Sequence, residues 1–168
     1  MTYKAAIITV GDAASRGGAA AAEMLQSAGF EIIYTSGVPA ERDTISAELI
    51  KCEYERRADL IVTAGGTGLS HRDVTPEATL DVIEREIPAI PQAMLHYSLD
   101  ITPRAMLTRA VAGVRNNALI INLPGSEKAV RENLSAVVPA LGHAVSMLAG
   151  RLANGSFGSF GGFRSSFL

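Results

Sequence analysis

Tryptophan is absent from the 168 residues, and aromatic side chains make up only 5% of them. Ala, Ile, Leu and Val must therefore fill the core. The single cysteine, Cys52, excludes an internal disulfide and fits a reducing compartment. It follows Lys51 in a helical pattern, which favours a structural thiol over a nucleophile. The formal net charge of −2 provides no positive field for nucleic acid or an anionic membrane. No stretch approaches the roughly 20 consecutive apolar residues of a membrane-spanning helix. The apolar run near the start is too short for a signal sequence and stops at Gly11-Asp12. A cytoplasmic protein is expected, with neither nucleic acid nor membrane as partner. His96 and His143 lie in helical patterns without paired ligand spacing, so zinc is not indicated.

What the chain does have is 48% hydrophobic residues with 19% charged ones, enough for one domain with a real core. We assign residues 1–153 to that domain. Lys4 to Val10 reads as a central strand, continuous and rich in β-branched residues. Gly17 and Gly18 precede an Ala-rich helix, Ala19 to Ala28, stopped by Gly29. Phe30 to Thr35 is the second strand, followed by a Gly37-Val38-Pro39 turn. Thr44 to Arg57 is the second helix, with Ile45, Leu49 and Ile50 on one face. Asp59 to Thr63 is the third strand. Three such alternations predict an α/β three-layer sandwich, a mostly parallel sheet between helices. Further helices are expected from Pro76 to Glu86 and from Pro91 or Gln92 towards Leu99, with another short segment starting at Thr102-Pro103-Arg104. Arg109 to Arg115 and Ala118 to Leu123 flank Asn116-Asn117, whose tolerance of positive φ predicts a hairpin. That pair supplies an antiparallel edge. Glu127 to Leu141 begins the last helix, and 142–152 completes it.

Two turns stand out chemically. The first runs from Thr63 through Gly65, Gly66, Thr67 and Gly68 to Arg72, Asp73, Thr75, Pro76 and Glu77. It leaves a buried strand and enters a helix, with Thr75 expected as N-cap and Pro76 at the first helical position. Glycines let the main chain approach a ligand with its N–H groups inward. Arg72 offers an anion donor, and Asp73 a metal ligand or base. The spacing excludes two better-known phosphate loops. Leu69-Ser70 replaces the Lys-Ser/Thr of a P-loop, and His71 occupies the last glycine position of a dinucleotide fingerprint. The second turn is Asn122-Leu123-Pro124-Gly125-Ser126, again between a strand and a helix. Alone it is an ordinary Pro-Gly turn with a serine cap. In an open α/β sheet, however, such turns meet at the carboxyl edge, where ligands bind. Two convergent anion sites suggest a ligand with two phosphate-bearing parts.

These residues, in this order and spacing, resemble the molybdenum-cofactor biosynthesis family of MogA and MoaB type. Its pattern is Thr-x-Gly-Gly-Thr-Gly, then Arg-Asp-x-Thr-Pro-Glu, then Asn-Leu-Pro-Gly-Ser/Asn before a helix. The likeness runs from the first strand to about Leu152. It implies a mainly parallel sheet between helices, assembled as homotrimers or homohexamers. It also implies adenylation of molybdopterin with ATP and Mg²⁺, releasing pyrophosphate. By position, Gly65, Gly66, Thr67 and Gly68 would cradle phosphates, with Arg72 beside them. Asp73 matches an aspartate needed for activity, expected to act through the metal, and Asp12 matches the aspartate ending strand one, a second metal-side group. Asn122, Pro124, Gly125 and Ser126 match the loop that helps hold pterin or nucleotide.

The chain departs from the family pattern in two places. Active members usually carry Pro-Asp after strand two, where this chain has Pro39-Ala40 followed by Glu41. They also usually have a longer, acid-bearing loop after strand one, where this chain has the short run from Ala13 to Gly18. The alternative reading is thus a weak or inactive molybdopterin-binding member, or an assembly module of the same fold. His71 is read as a side chain at the mouth of the site. The 154–168 tail holds four of the five phenylalanines among Gly and Ser, a composition expected to dock on its own domain or a neighbour.

Overall fold

The continuous apolar run at the start forms β1, Lys4–Val10, with the expected bounds. The computed structural model describes residues 2–150; the 154–168 tail therefore lies outside the described residues. A 3₁₀ turn at Asp12–Ala14 follows β1, and α1 spans Ser15–Ser27. Next come β2, Glu31–Val38, α2, Arg42–Tyr54, and β3, Leu60–Ala64. The glycine loop leads to a short α3, Thr75–Leu80, and then to β4, Arg85–Glu86. Helix α4 covers Ala89–Leu99, and a 3₁₀ segment covers Pro103–Leu107. The last elements among the described residues are β5, Ala112–Arg115, β6, Ala118–Leu123, and α5, Glu127–Leu148.

The six strands of the described residues are ordered β2-β1-β3-β6-β5-β4. The first four are mutually parallel, and β5 and β4 add the expected antiparallel edge. Asn116, at φ 48°, supplies the positive-φ residue of the β5–β6 turn. Side chains alternate between two cores. Ile7, Val62, Leu119 and Ile121 face one side with α1, α4 and α5; Ile8, Ile61 and Ile120 face the other with Ile45 and Leu49 of α2. Each of these buried Ile or Leu side chains contributes roughly 2 kcal/mol relative to exposure. The three-layer sandwich follows from strands apolar on both faces.

The differences from expectation trace mainly to packing and pairing with elements distant in sequence. Helix α1 begins at Ser15, four residues early, and takes in Gly17 and Gly18. Those glycines are dictated by packing: a Cβ at Gly17 would stand 2.5 Å from the Gly125 carbonyl oxygen, and one at Gly18 would stand 2.3 Å from Thr9 Cγ2. Strand β2 extends through Gly37 to Val38, because β1 pairs with it along its whole length. Helix α3 stops at Leu80, not Glu86, and the chain beyond supplies β4, too short to carry a periodic signal. Strand β5 starts at Ala112, three residues late.

Candidate functional site

All four parallel strands end at the same edge, so the loops after β1, β2, β3 and β6 are forced together there. Gly11 N donates to Val38 O (3.0 Å) and Gly65 N donates to Leu123 O (3.0 Å), tying the loops in pairs. Between them lies an open cavity of about 830 Å³, within the size range of small-molecule sites.

The first loop is shaped by its own contacts. Gly65 has φ +103° and Gly66 has φ +72°, where L side chains are strained. A Cβ at Gly65 would stand 2.6 Å from Val10 O, and one at Gly66 2.2 Å from Thr75 Oγ1. Thr75 is not the N-cap; Val74 holds that position without a side-chain cap. The buried Thr75 hydroxyl instead donates to Gly65 O at 2.9 Å. Asp73 Oδ2 accepts from Ser70 N at 2.9 Å, closing the turn between them. Gly68 leaves room for that carboxylate, since a Cβ there would lie 2.9 Å from Oδ2.

Arg109 fastens the loop from outside. Its Nε donates to Gly68 O (2.8 Å), its Nη2 to Asp73 O (2.5 Å), and its Nη1 pairs with Glu77 Oε1. Its backbone N–H donates to Thr67 O at 2.9 Å. The hydrogen bond from Arg109 holds the Glu77 carboxyl below its ordinary value of 4.5, against an opposing effect of burial. Sequence reasoning missed Arg109, which sat within a run read as strand; a cation entering a segment of small apolar residues was the available signal.

The second loop is simpler. Ser126 is the N-cap of α5 and its Oγ accepts from Ala129 N at 3.2 Å. The first-turn N–H groups and the helix dipole there favour an anion. Gly125 and Ser126 line the cavity together with Asp12, Gly65, Gly66, Thr67, Gly68, Arg72 and Asp73. Nine predicted residues thus meet at one place. Pro39, Ala40 and Glu41 line it as well. The Glu41 carboxylate also accepts from the Thr44 hydroxyl at 3.1 Å. His71 is exposed, outside the cavity lining.

Two of the residues expected to bind pterin or nucleotide stand elsewhere. Asn122 is fully buried, with Nδ2 donating to Thr63 Oγ1 (3.1 Å) and Thr79 Oγ1 (2.8 Å). Its Oδ1 accepts from Val111 N at 3.1 Å. Its amide is committed to joining β6, β3 and α3, so it positions the second loop from beneath. Pro124 lines a neighbouring cavity of about 530 Å³, whose wall includes Thr102, Leu107, Thr108 and Lys128 and which shares Thr67, Gly68 and Ser126 with the first. Sequence reasoning did not anticipate this second cavity.

Among the described residues, no group of three or more His, Cys, Asp or Glu side chains is arranged to hold a metal. Asp12, Glu41 and Asp73 do share one cavity wall. Mg²⁺ bound with a nucleotide takes one or two carboxylates and fills its remaining positions with phosphate oxygens and water. The donor set fits that mode and not an all-protein cage. Cys52 is fully buried, away from this edge, and burial pushes its thiol up to about 12. It is inert, as the sequence indicated. No helix among the described residues is long and apolar enough to cross a membrane.

Comparison with known proteins matches residues 6–143 to the family model described as a probable molybdopterin binding domain. A Helicobacter pylori protein named molybdopterin adenylyltransferase is 47% identical over 117 residues, 70% of this chain and 66% of that protein. The Escherichia coli K12 protein of the same name is 39% identical over 153 residues, 86% of this chain and 78% of that one. The chain spans less than two thirds of the length of several curated relatives it matches. The crystal structure of the molybdopterin biosynthesis enzyme MoaB from Thermus thermophilus superposes with a TM-score of 0.82 at 42% identity, covering 89% of this chain and 98% of that one. The motif in the two loops, the cavity they enclose and the extent of these matches agree: the chain belongs to the molybdenum-cofactor biosynthesis family of molybdopterin-binding domains.

Proposed function

We propose that this chain adenylates molybdopterin, using ATP with Mg²⁺ and releasing pyrophosphate. One observation carries the reading: two glycine-bearing loops, from β3 and β6, converge with the carboxylates of Asp12 and Asp73 on a single cavity. The terminal phosphate of the pterin attacks the α-phosphorus of ATP. A new phosphate–phosphate oxygen bridge forms, the bond to the β-phosphate oxygen breaks, and pyrophosphate leaves with that electron pair. Phosphate is already an anionic nucleophile at neutral pH, so no strong base is needed. The protein must bring like-charged groups together and hold them in line. Backbone N–H groups of the first loop, Arg72 and the N-terminus of α5 supply positive potential for this. Bound Mg²⁺ would be held by Asp73 and Asp12, and would neutralise charge on the phosphates.

Ala40 favours a second reading. It lies in the cavity wall where active family members usually place an aspartate. With one carboxylate fewer, the chain would bind molybdopterin and turn it over weakly or not at all. The deciding experiment mixes the protein with molybdopterin, ATP and Mg²⁺ and assays adenylated pterin and pyrophosphate. Product that vanishes in Asp73→Asn supports the enzyme. Pterin bound without product supports the binding-only protein, and Ala40→Asp should then raise turnover. The same reading carries assembly as a homotrimer or homohexamer, which sedimentation equilibrium would distinguish from a monomer.

A further inference from the structure

We propose that Arg109 is a positioning residue: it holds the 67–73 loop in the shape that presents Asp73, and it ties that loop to the 102–108 wall of the neighbouring cavity. The proposal rests on the adenylation reading for its activity readout alone; its structural readout stands apart from it.

Arg109 lies 36 residues beyond Asp73 in sequence, in neither motif. Its contacts nevertheless fall at both ends of the loop. The backbone N–H holds Thr67 O and Nε holds Gly68 O at the start. Nη2 holds Asp73 O at the end, and Nη1 reaches Glu77 in the first turn of α3. One planar group thus fixes the distance between Gly68 and the Asp73 backbone. Only a guanidinium presents donors in this fork; an ammonium cannot meet three separate acceptors with the same geometry. Glu77 strengthens the arrangement. Its Oε2 is buried without a hydrogen-bond partner among the described residues, so the Arg109 guanidinium is the charge that answers this carboxylate at contact distance.

The other side of Arg109 leads to the second cavity. Thr102, Leu107 and Thr108 line it, and the chain passes directly from Thr108 into Arg109. Thr67 and Gly68, the residues whose carbonyls Arg109 holds, line both cavities. Whatever settles the 102–108 segment therefore acts on the same fork that settles Asp73.

The test compares wild type, Arg109→Lys and Arg109→Ala. Hydrogen exchange is read first, with no ligand present. Amides 68–77 should exchange about tenfold faster or more in Arg109→Lys, while β3 and β6 amides keep their protection. Unchanged loop exchange would overturn the proposal, and so would equal loss of protection in the sheet, which means a purely structural role. Turnover is read second. In Arg109→Lys, kcat should fall by about 100-fold, the scale of a small misplacement of reacting groups. The KM for ATP should change far less. Guanidinium chloride, well below denaturing concentration, should restore part of the lost kcat in Arg109→Ala, and sodium chloride at equal ionic strength should not. A kcat within twofold of wild type in Arg109→Lys, or rescue by both salts alike, would also overturn it. If wild type itself forms no product, adenylation fails and the exchange result alone decides the role of Arg109. Should Arg109→Ala fail to fold, Arg109→Lys carries both readings.

Discussion

The two loops of the site are built in different ways. The 65–73 loop is over-determined: two residues at positive φ, a buried threonine hydroxyl on Gly65 O, a carboxylate closing its own turn, and Arg109 across its ends. The 124–126 loop has a serine cap, the Asn122 amide beneath it and Gly17 packed on the Gly125 carbonyl, but no side chain that spans its ends. Yet both line one cavity. A loop held from several sides keeps a fixed geometry for groups that must align with a reacting phosphorus. A capped helix start offers N–H groups in a fixed direction without such support. The first loop is thus the place where shape is indispensable, and the second, on the adenylation proposed above, the place that would receive an anion.

Glycine substitution is the sharpest way to break this contrast. Gly66→Ala places a Cβ against Thr75 Oγ1 at a positive φ, and should cost about 3 kcal/mol from strain and overpacking together. Gly125→Ala meets its nearest atom at 3.4 Å, an ordinary contact, and should stay within about 0.5 kcal/mol of wild type. Urea unfolding of both variants checks this, and equal costs would erase the distinction drawn between the loops.

Next in size is Asp73→Asn. Asparagine keeps an oxygen for the Ser70 N–H, so the turn should survive while the negative charge is lost. Adenylation should fall by about 100-fold or more, the scale of losing one electrostatic stabiliser, with pterin binding largely intact. Parallel loss of pterin affinity, measured by fluorescence titration, would reassign Asp73 to a structural role.

Ser126→Ala probes the second loop. Removing the cap should lower stability by about 1 kcal/mol and weaken the phosphate-bearing ligand through loss of order at the α5 N-terminus. Calorimetric titration gives the affinity, and no change there would take this loop out of the binding site.

The smallest effect concerns pH. Arg109 keeps the Glu77 carboxyl below its ordinary 4.5. A depressed carboxylate contributes stability above its unfolded value and loses it as pH falls through the folded value. Glu77→Gln should therefore trail wild type by up to about 1 kcal/mol near neutrality, the range of a partly exposed pair. The gap should close as pH falls below the ordinary 4.5, and chemical denaturation at several pH values would show it. A gap independent of pH would mean that the pair contributes through shape and not charge.

Much of this was legible in the chain. The bounds of β1 and β6, the parallel core, the antiparallel hairpin and the two glycine loops follow from apolar runs and glycine spacing, while the family resemblance was needed to add Asp12 to the nine cavity-lining residues. Local signals failed where distant neighbours decide. Gly17 and Gly18 look like helix breakers until the Gly125 carbonyl and Thr9 are placed against them. Thr75 looks like a cap until Gly65 O appears beside its hydroxyl. Asn122 belongs to the motif that reads as ligand contact, but its amide is consumed by Thr63, Thr79 and Val111. Arg109 offers no more local signal than a cation entering a segment of small apolar residues, because every group it serves lies more than thirty residues away.

The strand order has a consequence for how the chain is made. Among the described residues β6 is the last strand to be synthesised, yet it sits in the middle of the sheet between β3 and β5. Until residues 118–123 emerge, β3 presents an unpaired apolar edge, the kind of edge that invites intermolecular pairing. The hairpin of β5 and β6 forms locally, but its docking on β3 closes a long loop and is correspondingly slow. The cavity, walled by residues from 10 to 126, is therefore completed at that docking step, and a nascent chain shorter than this has sheet and helices but lacks one wall of the candidate site.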